Sequence, residues 1–183
     1  MLKNTEIAGV TVYEPPRYED NRGFFSPALC FRSLDKAGLS SNFLRINNSL
    51  SLHQKTLRGL HLQLPPAAEA KVIRVISGSI WDVVLDLRSN SATYGQHIGI
   101  ELSAETRHWL HIPQGCAHGF LTLEPNTEVL YLSTADYEPQ LERGVRWNDP
   151  QYSIQWPAVP EHISEKDSSL PLTTTESPLV VHV

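Results

Sequence analysis

Apolar and polar positions alternate along much of the chain. From Leu57 to Lys71 it reads LRGLHLQLPPAAEAK. Leu60, Leu62 and Leu64 fall two apart, so they share one face of a predicted strand, and that face is apolar enough to pack. The other face carries Leu57, Gly59, His61 and Gln63. A face of that kind either meets water or lines a cavity. KVIRVIS, residues 71–77, predicts a second strand, and Ser77-Gly78-Ser79 a tight turn. In Ile80 to Arg88, Trp81, Val83, Leu85 and Leu87 alternate with Ile80, Asp82, Val84, Asp86 and Arg88, giving one apolar and one mixed face. HIGIELS, AETRHWLHIP, AHGFLTL and EVLYLST continue the strand series, interrupted by the loop 89–95 and by the Pro113-Gln114-Gly115 turn. One helix is predicted, near Phe31 to Ala37, stopped by Gly38. From Pro157 onward Pro, Ser and Thr become frequent, which predicts an extended tail from about residue 158 with one short helix at most. Many short strands with few helices predict an all-β sandwich or barrel. A double-sheet jelly roll encloses a cavity between its sheets, and the His61 face is then expected to look into it.

Composition sets limits on this picture. The 183 residues, 40% hydrophobic and 19% charged, suit a single globular domain over residues 1–183. A net charge of −5 argues against a binder of nucleic-acid polymers, though local basic groups can still hold one anionic ligand. No apolar run approaches the roughly 18 residues of a membrane-spanning helix. The N-terminal MLKNTEIAGVTVYEPP lacks the apolar core of a signal peptide, so the cytoplasm is the expected location. Cys30 and Cys116 form neither a CxxC pair nor a disulfide framework. Asn47-Asn48-Ser49 fits a glycosylation sequon and, without a secretory signal, is read as chance. No GxGxxG or P-loop signals a redox cofactor or a nucleoside triphosphate, so no cofactor is expected.

The candidate chemistry centres on histidines. IPQGCAHGF contains P-x-G-x-x-H, from Pro113 through Gly115 to His118, which resembles the second motif of the cupin superfamily. In metal-binding cupins the first motif supplies two histidines and a downstream Glu. Here the corresponding run is His61-Leu62-Gln63, with Glu69 as the only nearby carboxylate. Two histidines and one Glu fall short of the three or four good ligands usual for a transition metal, so no metal is expected; a metal-dependent cupin enzyme remains the alternative. Cys116 and His118 suggest a thiolate–imidazole nucleophile, but no third group supports it.

Beyond single motifs, an ordered set resembles the dTDP-4-dehydrorhamnose 3,5-epimerase family. The matching segments are DNRGFF (20–25), LRGLHLQ (57–63), AKVIRVISGSIWDVVLDLR (70–88), LHIPQGCAHGF (110–120), LYLST (130–134), WNDP (147–150), IQWP (154–157) and SEKD (164–167). They keep the family's order and nearly its spacing from about residue 7 to 172. The resemblance implies a metal-independent, cupin-type double-stranded β-helix with a few short helices. It implies epimerisation of a nucleotide-diphosphate-linked 4-keto-6-deoxyhexose, usually at C3 and C5, by removing and returning a proton beside the ketone. It casts His61 as the base, Asp167 as its carboxylate partner, Tyr131 as the acid on the opposite face and Lys71 as a cation near the enolate. His118 is expected at the sugar or its keto oxygen, and Arg22 and Arg58 near the nucleotide. Asn47, Glu142 and Lys166 are expected as further substrate contacts. In a regular strand Arg58 lies on the face opposite His61; Gly59 permits a bulge that re-aims it. The resemblance also implies a homodimer, with EIAGVTVYEP as an exchanged N-terminal strand.

Several positions depart from the family pattern. Pro27 stands where a Glu is usual, and Arg45-Ile46-Asn47 replaces Gln-Asp-Asn. One extra residue separates Asn47 from Leu57. Asp136 stands where a tyrosine is common, and Cys116 where a phenylalanine is common. These positions are expected at ligand contacts, while the base, acid and lysine are intact. Proton chemistry is therefore expected to be kept, with substrate choice open to change: another base or 4-keto sugar, or epimerisation at C3 or C5 alone.

Overall fold

The alternating segments form two facing sheets. The computed structural model describes residues 1–174 and 178–183. The first sheet contains β1 (Leu2–Asn4), β2 (Thr11–Tyr13), β5 (Arg45–Ser51), β7 (Lys71–Ser77), β10 (Trp109–Ile112) and β12 (Thr127–Ser133), in the order β1-β2-β10-β7-β12-β5. The second contains β6 (Thr56–Gln63), β8 (Ser79–Asp86), β9 (His97–Ser103), β11 (Cys116–Thr122) and β13 (Glu142–Gly144), in the order β13-β6-β11-β8-β9. A short β14 (His162–Ile163) adds to β6 in parallel. β3 (Tyr18–Asp20) and β4 (Gly23–Phe25) make a separate hairpin, and α1 (Phe31–Lys36) and α2 (Glu165–Ser168) are the α-helices among the described residues. This is the expected jelly roll. Among the described residues no helix is long and apolar enough to cross a membrane.

Three apolar clusters hold the layers together. Between the sheets, Ile73, Val75, Leu110 and Val129 pack on Ile80, Val84, Leu102 and Phe120. Outside the first sheet, Leu34 of α1 covers Val72, Trp109 and Leu132. Outside the second, Leu60, Leu62, Val83, Leu85 and Leu87 are covered by Val145, Tyr152, Ile154 and Val181. The apolar face of the 57–64 strand therefore packs outward, beneath later chain segments, and its polar face turns into the sandwich. Burying each of those leucines contributes about 1.5–3 kcal/mol.

Some expectations need correction. β8 ends at Asp86 rather than Arg88, because the Asp86 carboxylate turns the chain by accepting from Arg88 N at 3.0 Å, Arg88 Nε at 2.8 Å and Ser91 Oγ at 2.5 Å. Within EIAGVTVYEP only Thr11–Tyr13 is a strand, shorter than expected, with β1 and β10 as its neighbours. The tail from about residue 158 folds back instead of running extended: it supplies β14 and α2, and Val181 bridges Arg88. β5 went unpredicted, because its inward side chains, Arg45, Asn47 and Ser49, are polar and its two apolar ones, Ile46 and Leu50, point outward beside Asn48, the reverse of a core strand.

Candidate active site

A cavity of about 760 Å³ opens between β5, β12 and β7 on one wall and β6 and β11 on the other. The rest of the interior is filled by the apolar cluster. Gly59 determines what the second wall presents. At φ +109 it occupies a conformation that L side chains rarely adopt, and a Cβ there would lie 2.6 Å from both Gly119 Cα and His118 O. The register slips at this point: Phe120 pairs with Arg58, but His118 pairs with His61. Three steps on β6 thus match two on β11, and Arg58 and His61 both line the cavity.

His61 and Asp167 form a dyad, with Nε2 2.8 Å from Oδ1. Asp167 lies on α2, where its N–H bonds Ser164 Oγ at 3.1 Å, and its other oxygen accepts from Gly59 N at 3.1 Å. Burial pushes the Asp167 carboxyl up, but the hydrogen bond and charge of His61, with Gly59 and Ser164, outweigh it and hold the group below the usual range. An ionised Asp167 keeps the proton on Nε2, which leaves Nδ1 as the nitrogen with a free lone pair. Tyr131 stands on the opposite wall, between Asn47 of β5 and Ile73 of β7. Burial, joined by the nearby Glu69 charge and opposed by Arg45 and Arg58, raises its hydroxyl pKa. His61 and Tyr131 thus stand on opposite walls of the one cavity.

The remaining candidates fall around this pair. His118 Nε2 is 2.9 Å from Asp82 Oδ2, and burial raises the pKa of the fully buried Asp82. Lys71 Nζ lies 3.0 Å from Glu69 Oε1, and Ser133 Oγ donates to the other Glu69 oxygen. Arg58 donates to Ser51 Oγ at 3.1 Å and to Leu50 O at 3.0 Å. Asn47 Oδ1 accepts from Arg45 at 3.3 Å. Lys166 pairs with Glu142, which also accepts from Tyr137 Oη at 3.1 Å. Arg22 alone among the candidates lies away from the cavity: it sits exposed on the β3–β4 hairpin, paired with Asp20 at 2.6 Å. The histidines and Glu69 of the metal reading are each held by another partner, and no group of metal-ligating residues gathers among the described residues. Burial pushes the Cys116 thiol up to about 12, which disfavours the thiolate that a nucleophile needs.

Sequence reasoning overlooked three residues at the site, Glu69 and Arg45 on the cavity wall and Asp82 behind His118. Asp82 carried a signal, a carboxylate on a strand face shared with Ile80 and Val84. Glu69 was read only as a metal ligand, not as the partner of Lys71. Arg45 was noted only as a departure, and nothing in the local pattern placed it on an inward face.

The family model for dTDP-4-dehydrorhamnose 3,5-epimerase matches residues 4–174. The chain belongs to this family. The epimerase of Sinorhizobium fredii is 39% identical over 171 residues, covering 93% of this chain and 88% of that protein. The Bacillus anthracis epimerase, solved with TDP and PPi bound, superposes with a TM-score of 0.90 at 39% identity, covering 94% of this chain and 98% of that one. A 3′-monoepimerase from Streptomyces bikiniensis, solved with dTDP-quinovose, gives a TM-score of 0.83 at 30% identity, covering 91% and 85%. As a member of the dTDP-4-dehydrorhamnose 3,5-epimerase family the protein is an isomerase with the cupin-type β fold.

Proposed function

We propose that this chain epimerises a dTDP-linked 4-keto-6-deoxyhexose by proton removal and return at the carbons flanking the ketone. The observation that carries this reading is the placement of His61, with Asp167 behind it, and Tyr131 on opposite walls of one cavity. His61 Nδ1 takes the proton from the carbon acid, and the C–H electron pair becomes the enolate. Tyr131 returns a proton from the other side, inverting the carbon. His118, oriented by Asp82 through Nε2, presents its other ring nitrogen to the sugar oxygens. Arg58 suits the diphosphate, since a guanidinium binds two phosphate oxygens at once. Asn47, Glu142 and Lys166 complete the contacts at the cavity rim. Family membership favours both C3 and C5. Arg45 on the cavity wall favours a second reading, a changed sugar or a single inverted carbon.

We further propose a homodimer acting in the cytoplasm. Arg22 lies outside its own cavity, so a role at the nucleotide requires that it enter the cavity of a second copy. Incubation with dTDP-4-keto-6-deoxyglucose in deuterium oxide, followed by NMR, tests the reaction. Deuterium at C3 and C5 with a new epimer is expected. Exchange at one carbon selects the single-position reading, and no exchange at any carbon overturns the function.

A further inference from the structure

Four cationic side chains line the cavity: Arg45, Arg58, Lys71 and Lys166. Two of them are cancelled, Lys71 by Glu69 at 3.0 Å and Lys166 by Glu142. Among the described residues no carboxylate pairs with Arg45 or Arg58. Arg58 is committed to Ser51 and Leu50, whereas Arg45 makes one side-chain bond, at 3.3 Å, to Asn47. Arg45 therefore holds the least engaged positive charge in the cavity.

Strand register places that charge. Arg45 on β5 pairs with Ser133 on β12, which pairs with Lys71 on β7. The next row on the same face is Asn47, Tyr131 and Ile73. Diagonal neighbours on one sheet face are about 7–8 Å apart, within reach of long side chains. Arg45 and Lys71 thus flank Tyr131 from one side, with Glu69 held between Lys71 and Ser133. The formal charge of Arg45, Lys71 and Glu69 together is +1, the same as a lone Lys71 with neutral neighbours.

We propose that Arg45 is a further catalytic residue, which carries the positive charge stabilising the enolate oxygen because Glu69 cancels the charge of Lys71. The proposal rests on the epimerase reading. When His61 takes the proton, the C–H pair forms the enolate double bond and the carbonyl π pair moves onto oxygen. The Arg45 N–H groups donate to that oxygen. When the proton returns, the electrons flow back, and nothing is consumed. An alternative duty for Arg45 is to hold the diphosphate, and the two predict different outcomes.

The test uses Arg45→Gln, Arg45→Lys and the double variant Arg45→Gln/Glu69→Gln in the full chain. Deuterium exchange gives kcat, calorimetry with dTDP gives nucleotide affinity, and thermal melting checks the fold. Arg45→Gln is expected to lower kcat by about 10²-fold, the usual effect of one lost oxyanion donor, with dTDP affinity unchanged. Arg45→Lys should keep most of the rate. The double variant frees Lys71 and should recover about tenfold over Arg45→Gln, as expected for charges coupled at contact distance. Weaker dTDP binding with kcat unchanged assigns Arg45 to the diphosphate and overturns the proposal, as does a double variant no faster than Arg45→Gln. Wild-type protein that exchanges no deuterium removes the epimerase reading and this proposal together. Wild-type exchange that Arg45→Gln leaves intact removes this proposal alone.

Discussion

In the proposed reaction His61, Asp167 and Tyr131 divide one proton transfer into separable parts. His61→Ala removes the base, and a general base contributes about 10²- to 10⁴-fold. Exchange at every carbon should fall by that range; a loss below about fivefold would remove His61 from the base role. Asp167→Asn keeps the shape but not the acceptor charge that fixes the Nε2 proton, so exchange should slow while the cavity stays formed. Tyr131→Phe keeps the ring and removes the acid. His61 can still form the enolate, and deuterium then returns from the His61 side. The mutant should show exchange without inversion, read as the ratio of deuterium incorporation to epimer formed. An unchanged ratio and rate would pass the acid role to Tyr137, the other cavity tyrosine. Because burial raises the Tyr131 pKa, the acid should keep its proton above the ordinary value of 10.0.

At the scale of elements, the end of β8 makes a prediction about acid stability. Burial raises the pKa of the Asp86 carboxyl, but Arg88, Ser91 and Thr93 outweigh it and lower the pKa from 3.8 to about 2. A carboxylate depressed on folding stabilises the fold fully above its unfolded pKa. That contribution is lost as pH falls through the folded value. The window is therefore between about 4 and about 2, and the contribution is roughly 2 kcal/mol. Asp86→Asn should lower the melting temperature at neutral pH and flatten its fall across that window. An equally steep acid limb in the mutant would assign the loss to other carboxylates. The sequence made most of these elements legible, because β6, β7, β8 and β12 each bury a regular apolar face. It hid β5, whose polar side faces the cavity, and β14 with α2, which are too short to show a period. Arg58 facing the same way as His61 was legible only as an option offered by Gly59. The pairing of Asp167 with His61, 106 residues apart in sequence, came from the family resemblance, since no local pattern encodes a contact made by a folded-back tail.

The whole molecule leaves apolar surface that one chain does not cover. β5 is an edge strand with Ile46 69% and Leu50 53% exposed on its outer face, flanked by exposed Leu44 and Leu52. The β3–β4 hairpin adds Tyr18, Phe24 and Phe25, with Phe25 71% exposed. An open edge with exposed apolar side chains calls for a cover, and in the proposed homodimer a second copy of this chain would supply one that also offers Arg22. Ile46→Lys with Leu50→Lys places two charges on that outer face and leaves the inward Arg45, Asn47 and Ser49 untouched. Sedimentation at micromolar concentration should show a dimer for the native chain and a monomer for the double variant, with the melting temperature checking the fold. If Arg22 serves the partner's cavity, monomerisation and Arg22→Ala should weaken dTDP binding to a similar extent, and combining them should add little. A native chain that sediments as a monomer ends the dimer proposal. A dimer whose dTDP affinity ignores Arg22→Ala keeps the assembly and removes Arg22 from the site.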